Sequence, residues 1–142
     1  MALTSEQLDS FLSEGYCKIP GIIPPPLLER LRQLFDELMY KEEFKEQRSY
    51  YFANGQDHVT NLENLCHKGN LAALELLGSP FMLEIAAHIC GPDFFLIQEF
   101  AVIKNAGDEL PVLWHQDMMH ERTGRCFTVG IYLDEVKEND GA

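Results

Sequence analysis

Apolar positions recur at helical spacing near the start of the chain. Leu8, Phe11 and Leu12 fall on one face. Thr4 and Gln7 fit the S/T-x-x-E/Q capping box ahead of them, and Gly15 stands where a helix C-cap favours glycine. Residues 16–19 alternate and predict a short strand, which Pro20-Gly21 breaks. Pro24, Pro25 and Pro26 introduce a second helix, because proline suits a first helical turn. Leu27, Leu31, Leu34, Phe35 and Leu38 mark its apolar face. The charged run 41–48 continues or frays that helix and reads as a solvated face.

The middle is less regular. Residues 50–52 and 58–60 flank Asn54-Gly55, a turn dipeptide, so a hairpin or a mobile loop fits there. Residues 62–77 read as mostly helical, interrupted near Gly69. Ser79 as N-cap and Pro80 at the first position open a further helix. Phe81, Ile85 and Ile89 form its stripe, and Gly91-Pro92 stops it. Residues 94–104, 112–115 and 126–133 are rich in β-branched and aromatic residues and predict three strands. Helices first and strands later predict an α+β protein of one domain, with no internal repeat and no linker.

Composition adds limits. Of 142 residues, 46% are hydrophobic and 24% charged, ordinary for a soluble globular fold. The net charge of −12 repels phosphate backbones and argues against a nucleic-acid partner. No apolar run reaches the ~18–20 residues of a membrane span, and no signal segment opens the chain, so the expectation is a cytoplasmic protein without a membrane partner. Cys17, Cys66, Cys90 and Cys126 are widely spaced. They read as single buried thiols acting as small hydrophobes, with zinc or disulfide chemistry as the alternative.

Candidate chemistry centres on Trp114-His115-Gln116-Asp117. In a strand, residues two apart project to one face, so His115 and Asp117 present an imidazole and a carboxylate side by side. That pair supplies two thirds of the two-histidine, one-carboxylate set of non-haem Fe(II) oxygenases. A surface His–Asp pair is the plain alternative. Further signals surround the pair. Leu3-Thr4-Ser5-Glu6-Gln7-Leu8, Phe11, Gly15-Tyr16 and Ile19-Pro20-Gly21 open the chain. Residues 95–104 precede Val112-Leu113-Trp114-His115-Gln116-Asp117. Val129-Gly130-Ile131-Tyr132-Leu133-Asp134 and Asn139-Asp140-Gly141-Ala142 follow it. In this order and spacing, over nearly the whole chain, they resemble the phytanoyl-CoA dioxygenase family of Fe(II)- and 2-oxoglutarate-dependent oxygenases.

The resemblance implies N-terminal helices packed on a double-stranded β-helix, a cupin-like jelly roll with iron at one mouth. It implies hydroxylation of an unactivated C–H bond in a small organic substrate, with release of succinate and CO2. Fe(II), 2-oxoglutarate and O2 are the implied cofactors, with ascorbate an optional addition. His115 and Asp117 become metal ligands. Gln98 and Lys104, six residues apart on one strand face, either hydrogen-bond 2-oxoglutarate or are surface polar residues. Thr128, sharing a face with Gly130, either touches the co-substrate or fills the core. Trp114 lines the pocket or packs the outer layer, and His120 lines the pocket mouth or meets solvent. His58, His67 and His88 carry no ligand spacing, and Arg122 and Arg125 read as solvated.

The resemblance further implies a second histidine, then an arginine for the far carboxylate of 2-oxoglutarate, both well downstream of Asp117. Neither can be assigned. A jelly roll uses about eight strands. The expectation is therefore an N-terminal part of a longer enzyme, its barrel half built and inactive alone. The alternatives are a short non-catalytic relative acting as a binding or regulatory module, or completing its barrel by dimerising, and a cupin-like metal protein of another activity. Substrate identity and oligomeric state leave no trace in these residues.

Overall fold

The capping box forms as two reciprocal hydrogen bonds in a computed structural model of the chain, which describes residues 3–66, 69–105, 113, 115 and 126–137. The Gln7 backbone N–H donates to Thr4 Oγ1 at 3.1 Å, and the Thr4 N–H donates to Gln7 Oε1 at 2.9 Å. These bonds start α1 (Ser5–Glu14), and Gly15 ends it at φ 82°, its N–H on the Phe11 carbonyl. Residues 16–19 do not form the predicted strand. Side chains of α1 take up their carbonyls instead: Gln7 Nε2 donates to Lys18 O at 3.3 Å and Ser10 Oγ to Tyr16 O at 3.4 Å.

The second helix, α2 (Pro25–Tyr40), is the axis of the core. Leu27, Leu31 and Leu38 are buried on its predicted face, and Leu34 and Phe35 are half-buried. It does not continue through residues 41–48. Lys41 turns extended, and a 3₁₀ turn follows over Glu42–Gln47. The charged run is not simply a solvated face either. Gln47 is buried and donates from Nε2 to the carbonyls of Glu63 and Asn64 at 2.9 and 2.8 Å. Arg48 donates from Nε to the Leu38 carbonyl at 2.7 Å and from Nη2 to that of Lys41. The guanidinium satisfies the orphan Leu38 carbonyl at the negative end of the helix dipole and adds a second donor to the Lys41 carbonyl, which also accepts from the Phe44 N–H.

Of the two options at Asn54-Gly55, the hairpin forms. β1 (Arg48–Ala53) and β2 (Gln56–Glu63) pair antiparallel, with a register shift between Ser49 and Tyr50. Asn54 and Gly55 have φ of 52° and 82°, and a two-residue turn that matches strand twist needs both positive. β2 takes in Leu62 and Glu63, so the helix predicted over 62–77 shortens to α3 (Leu71–Leu77). Leu62 is fully buried opposite Ala101, a non-local pairing that helical spacing cannot report. α4 (Pro80–Cys90) follows its signals, with the Ser79 hydroxyl capping the Met82 N–H, Ile85 buried, and Gly91 at its end.

The strand predicted over 94–104 contracts to β3 (Phe100–Val102), which pairs antiparallel with β2 through Asn61–Val102, Leu62–Ala101 and Glu63–Phe100. The described elements are thus four α-helices and one three-stranded antiparallel sheet ordered β1-β2-β3, an α+β arrangement. Residues 126–133 carry no ladder. This segment lies on the helices instead: Ile131 and Leu133 pack on the Leu27, Leu31, Leu76 cluster, and Phe127 meets Phe11 edge-on at 6.5 Å. Of the strand predicted over 112–115, residues 112 and 114 lie outside the described ones, and 113 and 115 carry no ladder. The turn signal at 139–141 also lies outside them.

Candidate functional site

His115 is exposed, and its Nδ1 stands 2.7 Å from the Leu113 carbonyl oxygen. A carbonyl only accepts, so Nδ1 carries the proton of that bond. In the neutral ring the lone pair then lies on Nε2. Metal-bound histidines are commonly oriented by a hydrogen bond of this kind from the other ring nitrogen. The local geometry therefore fits the imidazole to a divalent ion through Nε2. Asp117, Trp114 and His120 lie outside the described residues, as do His67, Arg122 and Arg125. Among the described residues, no three His, Cys, Asp or Glu side chains come together to hold a metal.

Gln98 and Lys104 are both exposed. Only Phe100–Val102 between them is strand, so the shared strand face proposed for them does not extend to either. Just beyond β3, the Ile103 N–H donates to the Thr60 carbonyl at 2.8 Å, and Asn105 Nδ2 donates to that of Val59 at 3.1 Å. Thr128, Val129 and Gly130 are all exposed, so the segment does not show the alternating faces of a strand, while Phe127, Ile131 and Leu133 on it are half-buried. Thr128 is thus not a core residue. His88 donates from Nδ1 to the Glu84 carbonyl at 2.7 Å within α4, consistent with a structural role.

Sequence reading missed two residues that order this region. Arg32 of α2 donates from Nε and Nη2 to the Leu133 carbonyl at 3.0 and 2.5 Å. Its only local signal is a basic residue on the polar side of an amphipathic helix. Gln47 is buried in a run that reads as solvated, and its Oε1 has no hydrogen-bond partner among the described residues.

The thiols depart from the expectation of buried small hydrophobes. Cys17, Cys66 and Cys90 are half-buried and Cys126 is exposed, and no disulfide joins any two of them. Burial pushes the Cys66 thiol up from its ordinary pKa, and the Glu99 carboxylate beside it adds to that rise. A raised thiol is a poorer ligand and nucleophile at neutral pH. An open cleft of about 350 Å³ lies where α2, α3 and α4 meet, between Leu27, Leu74, Ser79 and Phe81. Beside it, Arg30 Nη2 donates to both carboxylate oxygens of Glu75 at 2.6 and 2.7 Å. Of the predicted site residues that are described, none lines this cleft.

The family model described as phytanoyl-CoA dioxygenase (PhyH) matches residues 11–142. The chain belongs to the phytanoyl-CoA dioxygenase family. The match runs through His115 and Asp117 and through the segment bound by Arg32, as the W-H-Q-D resemblance implied. A Stutzerimonas stutzeri protein named as a probable alpha-ketoglutarate-dependent hypophosphite dioxygenase is 28% identical over 147 residues, covering 97% of this chain and 50% of that protein. The chain thus spans about half the length of this curated relative. No solved structure matches it. Among the described residues of this family member, no single helix is long and apolar enough to cross a membrane. α3 and α4 together reach the length and composition, with a 42° bend between them. Ala73, Leu76 and Ile85 of that pair are buried, and Leu71, Leu74 and Leu83 are exposed.

Proposed function

We propose that this chain carries part of the active site of an Fe(II)- and 2-oxoglutarate-dependent oxygenase that hydroxylates a small organic substrate. The observation that carries the reading is the family match through the H-x-D pair. The Nδ1–H of His115, held by Leu113 O, supports it further. His115 Nε2 and the Asp117 carboxylate would hold the iron, and hard carboxylate with neutral imidazole suits Fe(II). Iron bound there supplies the dioxygen chemistry in which 2-oxoglutarate, O2 and R–H become succinate, CO2 and R–OH.

The chain's own residues have simpler tasks. The Leu113 carbonyl keeps the His115 proton on Nδ1 and fixes the ring's orientation. Gln98, Lys104 and Thr128 would hydrogen-bond 2-oxoglutarate, with Lys104 supplying positive charge for a carboxylate. Trp114 and His120 would line the pocket. Ascorbate is an optional reductant. A small substrate suits a surface whose net charge of −12 disfavours polyanions, and a cytoplasmic setting fits the four unbridged thiols.

We infer that a jelly-roll barrel is completed by residues additional to these 142, within a single domain. Two observations support this. The chain spans half of its dioxygenase relative. Phe95, Leu96, Ile97, Phe100 and Val102 expose an apolar run along and before β3, which a further sheet would cover. The test uses the full-length gene product with Fe(II), 2-oxoglutarate and air. Succinate should appear, and omitting either Fe(II) or 2-oxoglutarate should stop it. Failure to form succinate under any of these conditions, even uncoupled from substrate, overturns the reading.

A further inference from the structure

Residues 126–133 read as a strand in sequence yet form no ladder, so side-chain anchors set their position. Three are visible. Phe127 meets the Phe11 ring edge-on at 6.5 Å. Ile131 and Leu133 enter the helix cluster around Leu27, Leu31 and Leu76. At the far end, Arg32 Nε and Nη2 converge on the Leu133 carbonyl at 3.0 and 2.5 Å, and the adjoining Asp134 carboxylate stands 3.7 Å from Nε. The apolar anchors permit sliding along the helices, because van der Waals contact is not directional. The guanidinium fork does not, because two donors on one oxygen fix direction and distance together. Upstream of the fork on the same segment, Thr128, Val129 and Gly130 are exposed.

We propose that Arg32 is a positioning residue for the co-substrate: by clamping the Leu133 carbonyl it holds Thr128 in place to hydrogen-bond 2-oxoglutarate. The role rests on the oxygenase reading above. Arg32 touches neither metal nor co-substrate and acts only through the segment it holds. Misplacing a binding group by about 1 Å is enough to weaken its contact severely.

The test compares the full-length gene product with its Arg32→Ala and Arg32→Lys variants, each checked for fold by circular dichroism. Two quantities are read: hydrogen exchange of the amides of residues 127–133, and 2-oxoglutarate affinity of the Zn(II)-loaded protein by calorimetry. In Arg32→Ala, exchange over 127–133 should rise about tenfold, that of α4 should stay unchanged, and 2-oxoglutarate should bind about tenfold more weakly. Zn(II) affinity itself should not move. Arg32→Lys restores one donor and should fall between the two. Unchanged exchange overturns the clamp. Faster exchange with unchanged 2-oxoglutarate affinity overturns the positioning role and leaves Arg32 merely structural. If the unsubstituted protein binds no 2-oxoglutarate, the oxygenase reading fails, and this role with it, while the exchange data report on the clamp separately.

Discussion

Replacing His115 or Asp117 by alanine in the full-length gene product is expected to lower 2-oxoglutarate turnover by a hundredfold or more. Changes to groups that only orient a ligand cost about 10–100-fold, so losing a ligand should cost at least the upper end. The folded state should survive. His115 is exposed, and the hydrogen bond it makes through Nδ1 is to a carbonyl two residues away, Leu113 O. Its side chain therefore contributes little to the core, and exposed substitutions away from special features usually change stability by about 0.5 kcal/mol or less. Unchanged thermal unfolding with turnover lost is the expected pair of results. Full turnover in both variants would remove these residues from the site.

The second large effect concerns stability. Leu31→Ala should cost about 2–5 kcal/mol, the range for truncating a buried leucine to alanine. Leu31 is 1% exposed and sits between Leu27, Leu76 and the Ile131–Leu133 segment, so little can collapse into the space left. A domain is stable by about 5–15 kcal/mol in all, so the loss is a large fraction. For a chain of this size it corresponds to a melting point lower by roughly 10 °C. Leu12→Ala is the control, at 70% exposure, and should move the midpoint little. Equal shifts in the two variants, read by calorimetry, would mean that the helix cluster is not the centre of the core.

These expectations separate what local sequence reveals from what it does not. The start of α1, the Asn54-Gly55 turn and the start of α4 are legible because each is decided within about four residues. Thr4 meets Gln7, two positive φ angles close the hairpin, and Ser79 caps Met82. Leu62 shows the limit. Its spacing to later leucines suits a helix, but pairing with Arg48 on one side and Ala101 on the other makes it a strand residue. Residues 16–19 alternate like a strand, yet Gln7 and Ser10 take their carbonyls. The partners of 126–133 are likewise distant in sequence: Phe11 for Phe127, the Leu27, Leu31, Leu76 cluster for Ile131 and Leu133, and Arg32 for the Leu133 carbonyl. The site follows the same division. The H-x-D pair is legible as a motif, whereas Arg32 and Gln47 act only through partners distant in sequence.

Ring-nitrogen NMR of the full-length gene product with labelled histidine, titrated with Zn(II) as a diamagnetic stand-in for Fe(II), tests the central claim most directly. The geometry predicts that the His115 Nε2 signal shifts on binding while Nδ1 keeps its proton, still donated to Leu113 O. His58, bonded to the Ala53 carbonyl, and His88, bonded to that of Glu84, should not move. A His115 ring that ignores the metal, or that binds it through Nδ1, would contradict the account.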